Sequence, residues 1–241
     1  MRAIITFHSI DDSGSVISFP PDRFAHLLDG LRQSALPVTD LDTLLSSTDP
    51  GLAITFDDGM KSVIDHALPL LHGHGMPAHL FLTTGAVGKS NRWATQPEGT
   101  PTLEMMSWDD LARCQEGGIA IESHTENHPD LRALSGTALR EECERADQEI
   151  STRTGRHPQY FAYPYGLYNT SVITSLHGRY RASMTTLLNE LPAKPDLARV
   201  PRIDAYYLRD FCYRASLDSL QTRSYLQLRR ALRAIKRFAN L

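Results

Sequence analysis

Residues 52–59 read LAITFDDG, an apolar run that ends in two adjacent carboxylates and a glycine. Such a run is typical of a buried strand, and similar runs recur along the chain with longer amphipathic segments between them. The predicted strands are residues 3–7, 52–56, 78–82, 119–122 and 160–163, with two less regular ones at 180–183 and 199–203. Alternating strands and helices predict an α/β fold with a parallel sheet, either open or closed into a barrel.

Polar residues follow four of these strands at their carboxyl ends. His8 comes directly after the first strand, Asp57 and Asp58 follow the second, and His124 lies just past the fourth. The fifth strand leads into the sequence YPYG at 163–166. Sites in α/β architectures form where the carboxyl ends of parallel strands meet, so we expect these groups to share one site.

The composition bounds the class of protein. The chain has 241 residues, a formal net charge of -3, 41% hydrophobic and 22% charged residues, which is ordinary for a globular protein and gives no reason to expect nucleic-acid binding. Its cysteines, Cys114, Cys143 and Cys212, form no CxxC pair, which favours a reducing compartment. Because only a short apolar run precedes His8, we expect no secretory signal and a cytoplasmic protein. No pattern specifies the oligomeric state.

Two histidines four residues apart, His124 and His128, are candidate metal ligands. On a helical turn they share one face and can bind one ion, and Asp58 is the expected third ligand. Three protein ligands with positions left for water are typical of catalytic zinc sites, whereas structural sites are usually closed by four. Two imidazoles and a carboxylate also accept cobalt, nickel or manganese, so the sequence predicts a divalent ion, with Zn²⁺ as the first choice.

Asp57 and His8 are candidate acid–base residues beside this ion. Two neighbouring aspartates would repel each other if both were desolvated without a cation, and Asp57 would be the one left free to take a proton from water. A helix N-cap is the alternative role for the Asp-Asp-Gly sequence. His8 is either a core histidine or, beside a metal site, a general acid. Together these roles predict a metal-dependent hydrolase.

Three segments match a known family: TFDDG at 55–59, SHTENH at 123–128 and FAYPYG at 161–166. They resemble the NodB-homology polysaccharide deacetylases, which form carbohydrate esterase family 4. The segments FLTTG at 81–85 and HPDL at 128–131 also read like that family. The order of TFDDG before the two histidines is specific to this family, so the resemblance carries expectations about fold and activity.

The resemblance covers about residues 1–205 and implies a distorted (β/α)7 barrel. We expect one polysaccharide deacetylase domain over residues 1–241, with a basic helical segment at about 207–241. The implied activity is metal-dependent hydrolysis that removes N-acetyl groups from a sugar, a glycan or a glycan precursor. We expect such a reaction to serve exopolysaccharide or cell-surface glycan biosynthesis.

The resemblance also implies a role for each site residue. Asp58, His124 and His128 would hold the divalent ion, most often zinc, and Asp57 would be the general base. The backbone N–H of Tyr165 would donate to the oxyanion of the tetrahedral intermediate. Water on the ion would attack the acetamide carbonyl, and a protonated histidine would help to expel the amine and leave acetate.

The chain departs from the common family pattern at two points. Ala162 stands where the third motif usually has an arginine, and no histidine follows His177 to serve as the usual late acid. The first residues instead resemble a branch with permuted motif order, found in exopolysaccharide deacetylases, so we assign the acid to His8. Arg202 is the candidate replacement for the missing arginine, as the partner that orients Asp57. Its alternative role is a surface arginine on an edge strand.

The motifs leave the attacked bond open. A related O-acetyl esterase, a sugar deformylase and an allantoinase-like amidohydrolase share the same carbonyl chemistry. A catalytically silent carbohydrate-binding protein is the alternative from another class, although Asp57 and the three ligands are all present. The loop-like residues 88–101 are expected to line the substrate groove, but they contain no pattern that selects one substrate.

Residues 217–241 predict a basic amphipathic helix at the C-terminal end. Its basic residues are Arg223, Arg229, Arg230, Arg233, Lys236 and Arg237, and the apolar residues between them are Leu228, Leu232, Ile235 and Phe238. One interpretation is a helix packed on the barrel with a solvated charged face. The other is peripheral contact with a membrane surface or a partner.

Overall fold

The computed structural model describes residues 1–34, 36–211 and 215–239, so Cys212 lies outside the described residues. Seven parallel strands close into a barrel and follow each other around it in chain order, which confirms the predicted fold class. The strands are β1 (Arg2–Phe7), β2 (Gly51–Asp58), β3 (Ala78–Leu82), β4 (Ile119–Ser123), β5 (Tyr160–Ala162), β6 (Ala182–Leu188) and β7 (Val200–Asp204).

Helices connect the strands on the outside of the barrel. The α-helices are α1 (Pro21–Gln33), α2 (Leu41–Ser46), α3 (Leu68–His74), α4 (Trp108–Glu116), α5 (Gly136–Thr154), α6 (Thr170–Leu176) and α7 (Leu220–Ala239). The sequence did not predict α2 and α6, because helices of six and seven residues are too short to display a helical period. Short 3₁₀ turns follow β3, β5 and β7, at Thr84–Ala86, Pro164–Gly166 and Ala205–Tyr207.

Alternate residues of β1 face opposite sides of the barrel wall, as the pleat of a strand requires. Ile5 and Phe7 pack outward in a cluster that includes Phe24 and Leu28 of α1. Ile4 belongs to a second cluster, formed by residues of all the other strands except β4. Every residue of β1 is buried, including Arg2 and Thr6, and this explains why apolar residues predominate in the strand.

The barrel is weakest between β4 and β5, which share one residue pair, at Ser123. Glu122 of β4 bridges the two strands there with its side chain. Its Oε2 accepts the backbone N–H groups of Gln159 (2.7 Å) and Tyr160 (2.9 Å), and its Oε1 lies 3.1 Å from Nδ1 of His79 on β3. A carboxylate thus satisfies backbone donors that a regular ladder would have paired.

Strand β2 extends two residues further than the sequence predicted and includes Asp57 and Asp58. The N-cap alternative for these aspartates is therefore wrong. The next helical segment begins at Val63, as a π-helical turn that leads into α3. Both carboxylates leave the backbone at the carboxyl end of β2, where the barrel opens.

The C-terminal helix α7 packs on the barrel, as one interpretation of the sequence expected. Leu226 is buried, whereas Leu228, Leu232 and Ile235 are exposed. Apolar residues of α7 therefore meet solvent as well as charged ones, and peripheral contact with a membrane surface or a partner stays a prediction. No helix in the described part of the chain is both long enough and apolar enough to span a bilayer.

Candidate active site

A groove with a cavity volume of about 670 Å³ opens at the carboxyl ends of the strands. The side chains predicted from the motifs lie in it together: His8, Asp57, Asp58, His124, His128 and Tyr165. Its walls include residues 13–17 after β1 and residues 96–101 from the loop that was expected to line a groove. Arg202 does not line the groove but lies buried beneath Asp57.

Asp58, His124 and His128 bring three ligand atoms together at the floor of the groove. Oδ1 of Asp58 lies 3.4 Å from Nε2 of each histidine, and the two Nε2 atoms are 3.1 Å apart. A tetrahedral ion with bonds of about 2.0–2.1 Å separates its ligands by about 3.3–3.4 Å. The triangle therefore has the size that one divalent ion requires, and all three side chains are buried.

The backbone at these ligands adopts unusual conformations. Among the described residues, four residues other than glycine have positive φ: Asp58 (73°), Thr125 (70°), His128 (54°) and Tyr165 (58°). All four belong to the site or adjoin it. Left-handed backbone is costly for such residues, and its concentration here is typical of a functional site.

His124 and His128 do not lie on a helical turn, so that part of the prediction is wrong. They belong to the loop after β4, where the left-handed Thr125 turns the chain between them. The backbone N–H of His128 donates to Oγ1 of Thr125 at 3.0 Å and holds this turn. The two imidazoles converge because of this loop and not because of a helical period.

Hydrogen bonding and burial prepare the imidazoles for metal binding. Nδ1 of His124 lies 2.8 Å from the carbonyl oxygen of Ala162, which can only accept, so Nδ1 carries the proton and Nε2 of the neutral ring has a free lone pair. Burial lowers the pKa of His128 to about 3, so this ring is neutral at pH 7. Neutral imidazole is the form that ligates metals.

The carboxylate of Asp58 stays ionised in the same place. Burial alone would raise its pKa, but the contacts with His124 and His128 hold the pKa well below its usual value. A carboxylate oxygen and two imidazole nitrogens suit zinc, and they also suit cobalt, nickel or manganese. The donor set thus fits a divalent transition metal.

Arg202 of β7 binds the carboxylate of Asp57 with both of its terminal nitrogens. Nη1 donates to Oδ1 at 2.7 Å and Nη2 donates to Oδ2 at 2.6 Å. Arg202 is 1% exposed, and Thr55 and the carbonyl oxygen of Thr185 accept its remaining hydrogen bonds. The alternative of a surface arginine on an edge strand is wrong, because β7 pairs on both sides within the closed barrel.

This ion pair sets the charge state of Asp57. Burial alone would raise the pKa of its carboxyl group, but the charge and the hydrogen bonds of Arg202 outweigh that effect and lower the pKa. Asp57 is therefore an ionised carboxylate at neutral pH, held in one orientation. Each of its oxygens retains a lone pair that Arg202 does not use.

His8 lies on the other side of Asp57, with its Nε2 4.0 Å from Oδ2 of Asp57. Its side chain is 24% exposed and lines the groove, so it is not a core histidine. Tyr165 occupies the left-handed position of the turn Pro164–Gly166, which places its backbone at the groove wall. The next residue, Gly166, must be a glycine there, since its φ is +67° and a Cβ would lie 2.2 Å from Oγ1 of Thr186.

Sequence reasoning missed Trp93 and Thr95. The ring of Trp93 packs on His128 with centroids 4.4 Å apart, and its Nε1 donates to the hydroxyl of Tyr165 at 2.9 Å. Oγ1 of Thr95 donates to the carbonyl oxygen of His128 at 2.7 Å. The composition of residues 88–101 identified the loop, but no pattern within it singled out these two side chains.

Comparison with known proteins identifies the family of this chain. The profile of the polysaccharide deacetylase family matches residues 46–179, which is more than half of the chain. YxkH of Bacillus subtilis strain 168 is 28% identical over 193 residues, covering 76% of this chain and 63% of that protein. The poly-beta-1,6-N-acetyl-D-glucosamine N-deacetylase of Staphylococcus epidermidis is 27% identical over 164 residues, covering 62% of this chain and 53% of that protein.

This chain thus spans less than two thirds of the length of these curated relatives. Among solved structures, the deacetylase PplD of Streptococcus pyogenes superposes with a TM-score of 0.72 at 20% identity. The superposition covers 84% of this chain and 91% of PplD, and it supports the barrel fold. On the match of the family profile, the chain belongs to the polysaccharide deacetylase family.

Proposed function

We propose that this protein is a zinc-dependent N-deacetylase that hydrolyses the acetamide group of an N-acetylated sugar or glycan. The observation that carries the proposal is that a metal-ligand carboxylate and a free carboxylate lie next to each other on β2. Asp58 completes a ligand triangle of the size of one ion, and Asp57 is an ionised carboxylate held beside it by Arg202. Among the relatives, the Staphylococcus epidermidis protein is named for N-deacetylation of a glucosamine polymer.

A divalent ion held by Asp58, His124 and His128 would polarise the substrate carbonyl and lower the pKa of water. Asp57 acts as the general base. Water adds to the carbonyl carbon as one of its protons passes to a free lone pair on Asp57. Arg202 keeps this carboxylate ionised before the step and prevents it from rotating away from the groove.

The remaining steps need a donor for the oxyanion and a proton for the leaving amine. The left-handed turn at Tyr165 presents backbone to the groove wall, where its N–H would donate to the oxyanion. His8 is at the groove surface and within 4.0 Å of Asp57. We assign His8 as the acid that gives a proton to the nitrogen as the C–N bond breaks, leaving acetate and a free amine.

The groove has the size and the lining expected for a carbohydrate. Its volume of about 670 Å³ lies within the usual range of small-molecule sites, roughly 300–1,000 Å³. Trp93 and Tyr165, both half-buried, contribute aromatic surface beside His128 of the ligand triangle. These rings suit the apolar faces of sugar rings, while the open rim suits an oligomer.

Acetate release from N-acetylglucosamine oligomers tests the proposal. The zinc-loaded protein should release acetate, and Asp57→Asn should lose roughly 10²–10⁴-fold in rate while it still binds one equivalent of zinc. Asp109→Asn, which changes an exposed carboxylate on α4, is the matched control and should behave like the parent. Zinc binding without acetate release from any N-acetylated sugar would overturn the proposal, and release from acetylated xylan instead would favour an esterase.

A further inference from the structure

The C-terminal helix α7 carries its apolar residues on the side that faces away from the barrel. Leu228 is 58% exposed, Leu232 47% and Ile235 64%. At about 100° per residue these three positions fall within an arc of roughly 60°, on the side of the helix opposite Leu226. They form one continuous stripe, which we call the outer stripe, whereas the buried Leu226 contacts the barrel core.

The four arginines of α7 whose side chains the structure describes lie on the sides of the helix and on the face that meets the barrel. Arg223 forms two hydrogen bonds with Glu190, and Nη1 of Arg230 donates to Asn189. The guanidinium groups of Arg229 and Arg233 lie over the ring of Tyr207, at 5.0 and 5.7 Å from its centroid. The helix therefore docks on the barrel through these contacts and through Leu226, and it leaves the outer stripe to solvent.

This arrangement reverses the usual amphipathic helix of a globular protein, whose apolar stripe faces the core. Exposing three large apolar side chains in a row is unfavourable unless something covers them. Because the three side chains lie on one side of the helix, a single flat or slightly curved surface could cover all of them.

Charge identifies the chemistry of that occupant. Residues 219–241 contain six basic residues and no acidic one. Of the four basic side chains that the structure describes on α7, Arg223 alone has a carboxylate within ion-pair distance. Arg229 lies at one edge of the outer stripe, at about 60° from Leu232 around the helix. A surface that covers the stripe would therefore meet positive charge at its margin.

We propose that α7 lies on an anionic lipid surface, with the outer stripe at the boundary between headgroups and acyl chains and Arg229, at the margin of the stripe, near the lipid phosphates. Helices that bind in this way pair an apolar face with basic residues and insert to a depth of about 5–10 Å. The inference is independent of the proposed catalytic function, because none of these residues lines the groove.

A second copy of the chain fits the stripe less well. Pairing two outer stripes would place Arg229 of both copies at the margin of one interface, and α7 has no acidic residue to balance them. Three side chains per copy also cover far less than the roughly 1,200–2,000 Å² that stable protein interfaces bury. An anionic bilayer satisfies both the charge and the apolar surface.

Flotation of the full chain with lipid vesicles tests the inference. The parent should float with vesicles of 70% phosphatidylcholine and 30% phosphatidylglycerol, and less with pure phosphatidylcholine. The variant Leu228→Gln/Leu232→Gln/Ile235→Gln should bind at least about tenfold more weakly, since each buried apolar side chain contributes on that scale. Leu197→Gln removes an exposed leucine outside α7 and should change nothing.

Arginine variants test how much positive charge contributes to vesicle binding. Arg229→Gln should weaken binding to the anionic vesicles by roughly fivefold, the contribution of one arginine near the surface. Arg140→Gln removes an exposed arginine elsewhere and should leave binding unchanged. Circular dichroism and zinc binding should match the parent in every variant, because the changed side chains lie outside the ligand triangle.

The inference would be overturned if the parent failed to float with the anionic vesicles, or if it floated equally well with neutral ones. It would also be overturned if the variant of the outer stripe bound the vesicles as the parent does. A parent that is a dimer in lipid-free buffer, with a monomeric outer-stripe variant, would assign the stripe to a second copy instead.

Discussion

The neighbouring aspartates of β2 lie in opposite electrostatic surroundings. The charge of Asp57 is balanced within the protein by Arg202, through two short hydrogen bonds. Asp58 contacts two imidazoles, one of which is neutral at pH 7, and forms no ion pair with a lysine or arginine in the described part of the chain. The negative charge of Asp57 is thus balanced by the protein itself, whereas the charge of Asp58 is left for a bound cation to balance.

Local geometry explains how adjacent residues come to differ so much. Successive side chains of a strand point to opposite sides, so Asp57 and Asp58 leave β2 in different directions. The left-handed backbone of Asp58, with φ at 73°, then ends the strand and turns its carboxylate toward the loop after β4. Asp57 and Asp58 can therefore have different roles, as base and as metal ligand, although they are adjacent in the sequence.

Asp58→Asn should produce the largest effect, because it removes the charged ligand. Mutating a residue that only hydrogen-bonds to a metal ligand typically lowers metal affinity by roughly 10–100-fold. The loss of a ligand itself should therefore weaken zinc binding by more than about 100-fold. Zinc titration by calorimetry measures this. Acetate release at limiting zinc should fall in parallel.

Asp57→Asn is the matched control, since it makes the same chemical change one residue earlier. It should retain one equivalent of zinc at nearly the parent affinity while it loses activity, and its free energy of unfolding should fall as well, because the buried Arg202 loses its charged partner. If Asp58→Asn bound zinc as the parent does, the triangle with His124 and His128 would not be the metal site.

Arg202→Gln should produce the next largest effect, on stability. Removing one partner of a buried ion pair leaves the other charge uncompensated and typically costs about 3–5 kcal/mol. We expect the free energy of unfolding in urea to fall by this order, while the ligand triangle still binds zinc. Activity should fall as well, because Asp57 loses both its orientation and its depressed pKa.

Arg199→Gln provides the comparison, because Arg199 is an exposed arginine three residues earlier that pairs with Asp196 on the surface. Its unfolding midpoint should remain close to that of the parent, since exposed ion pairs contribute little. Equal unfolding midpoints for the two variants would show that the pair of Arg202 with Asp57 adds nothing to stability.

The same contrast separates what the sequence predicted from what it did not. Asp58, His124 and His128 come from short motifs, and their assembly at the carboxyl ends of strands follows from strand–helix alternation. Arg202 was found as a candidate only through the resemblance, since 145 residues separate it from Asp57 and no local period links them. The carbonyl group of Ala162, which orients His124, is backbone and leaves no trace in residue type.

Two segments show what residue spacing leaves unspecified. The spacing of His124 and His128 fits a helical turn, but the left-handed Thr125 excludes one. The period of α7 is helical as expected, yet the period does not specify which face meets the barrel, and Leu226 alone of its leucines is buried there. Spacing specifies relative directions along an element, and tertiary packing decides what those directions face.

Tyr165→Phe should produce the smallest effect and extends the comparison to the rim of the groove. The hydroxyl of Tyr165 accepts from Nε1 of Trp93 and donates to the carbonyl oxygen of Thr95 at 2.7 Å, so it ties the loop to the turn after β5. Its removal should cost about 1 kcal/mol per hydrogen bond and loosen the loop over His128.

We expect KM to rise by roughly three- to tenfold on this scale and kcat to stay within about twofold, because the substitution keeps the aromatic ring and the backbone N–H of Tyr165. Tyr168→Phe removes a hydroxyl outside the groove lining and should leave both constants unchanged. A large fall in kcat with an unchanged KM would mean that the hydroxyl of Tyr165 takes part in the reaction itself. In that case the hydroxyl of Tyr165 would be a reacting group like the carboxylate of Asp57, because it would do more than hold the loop and the substrate in place.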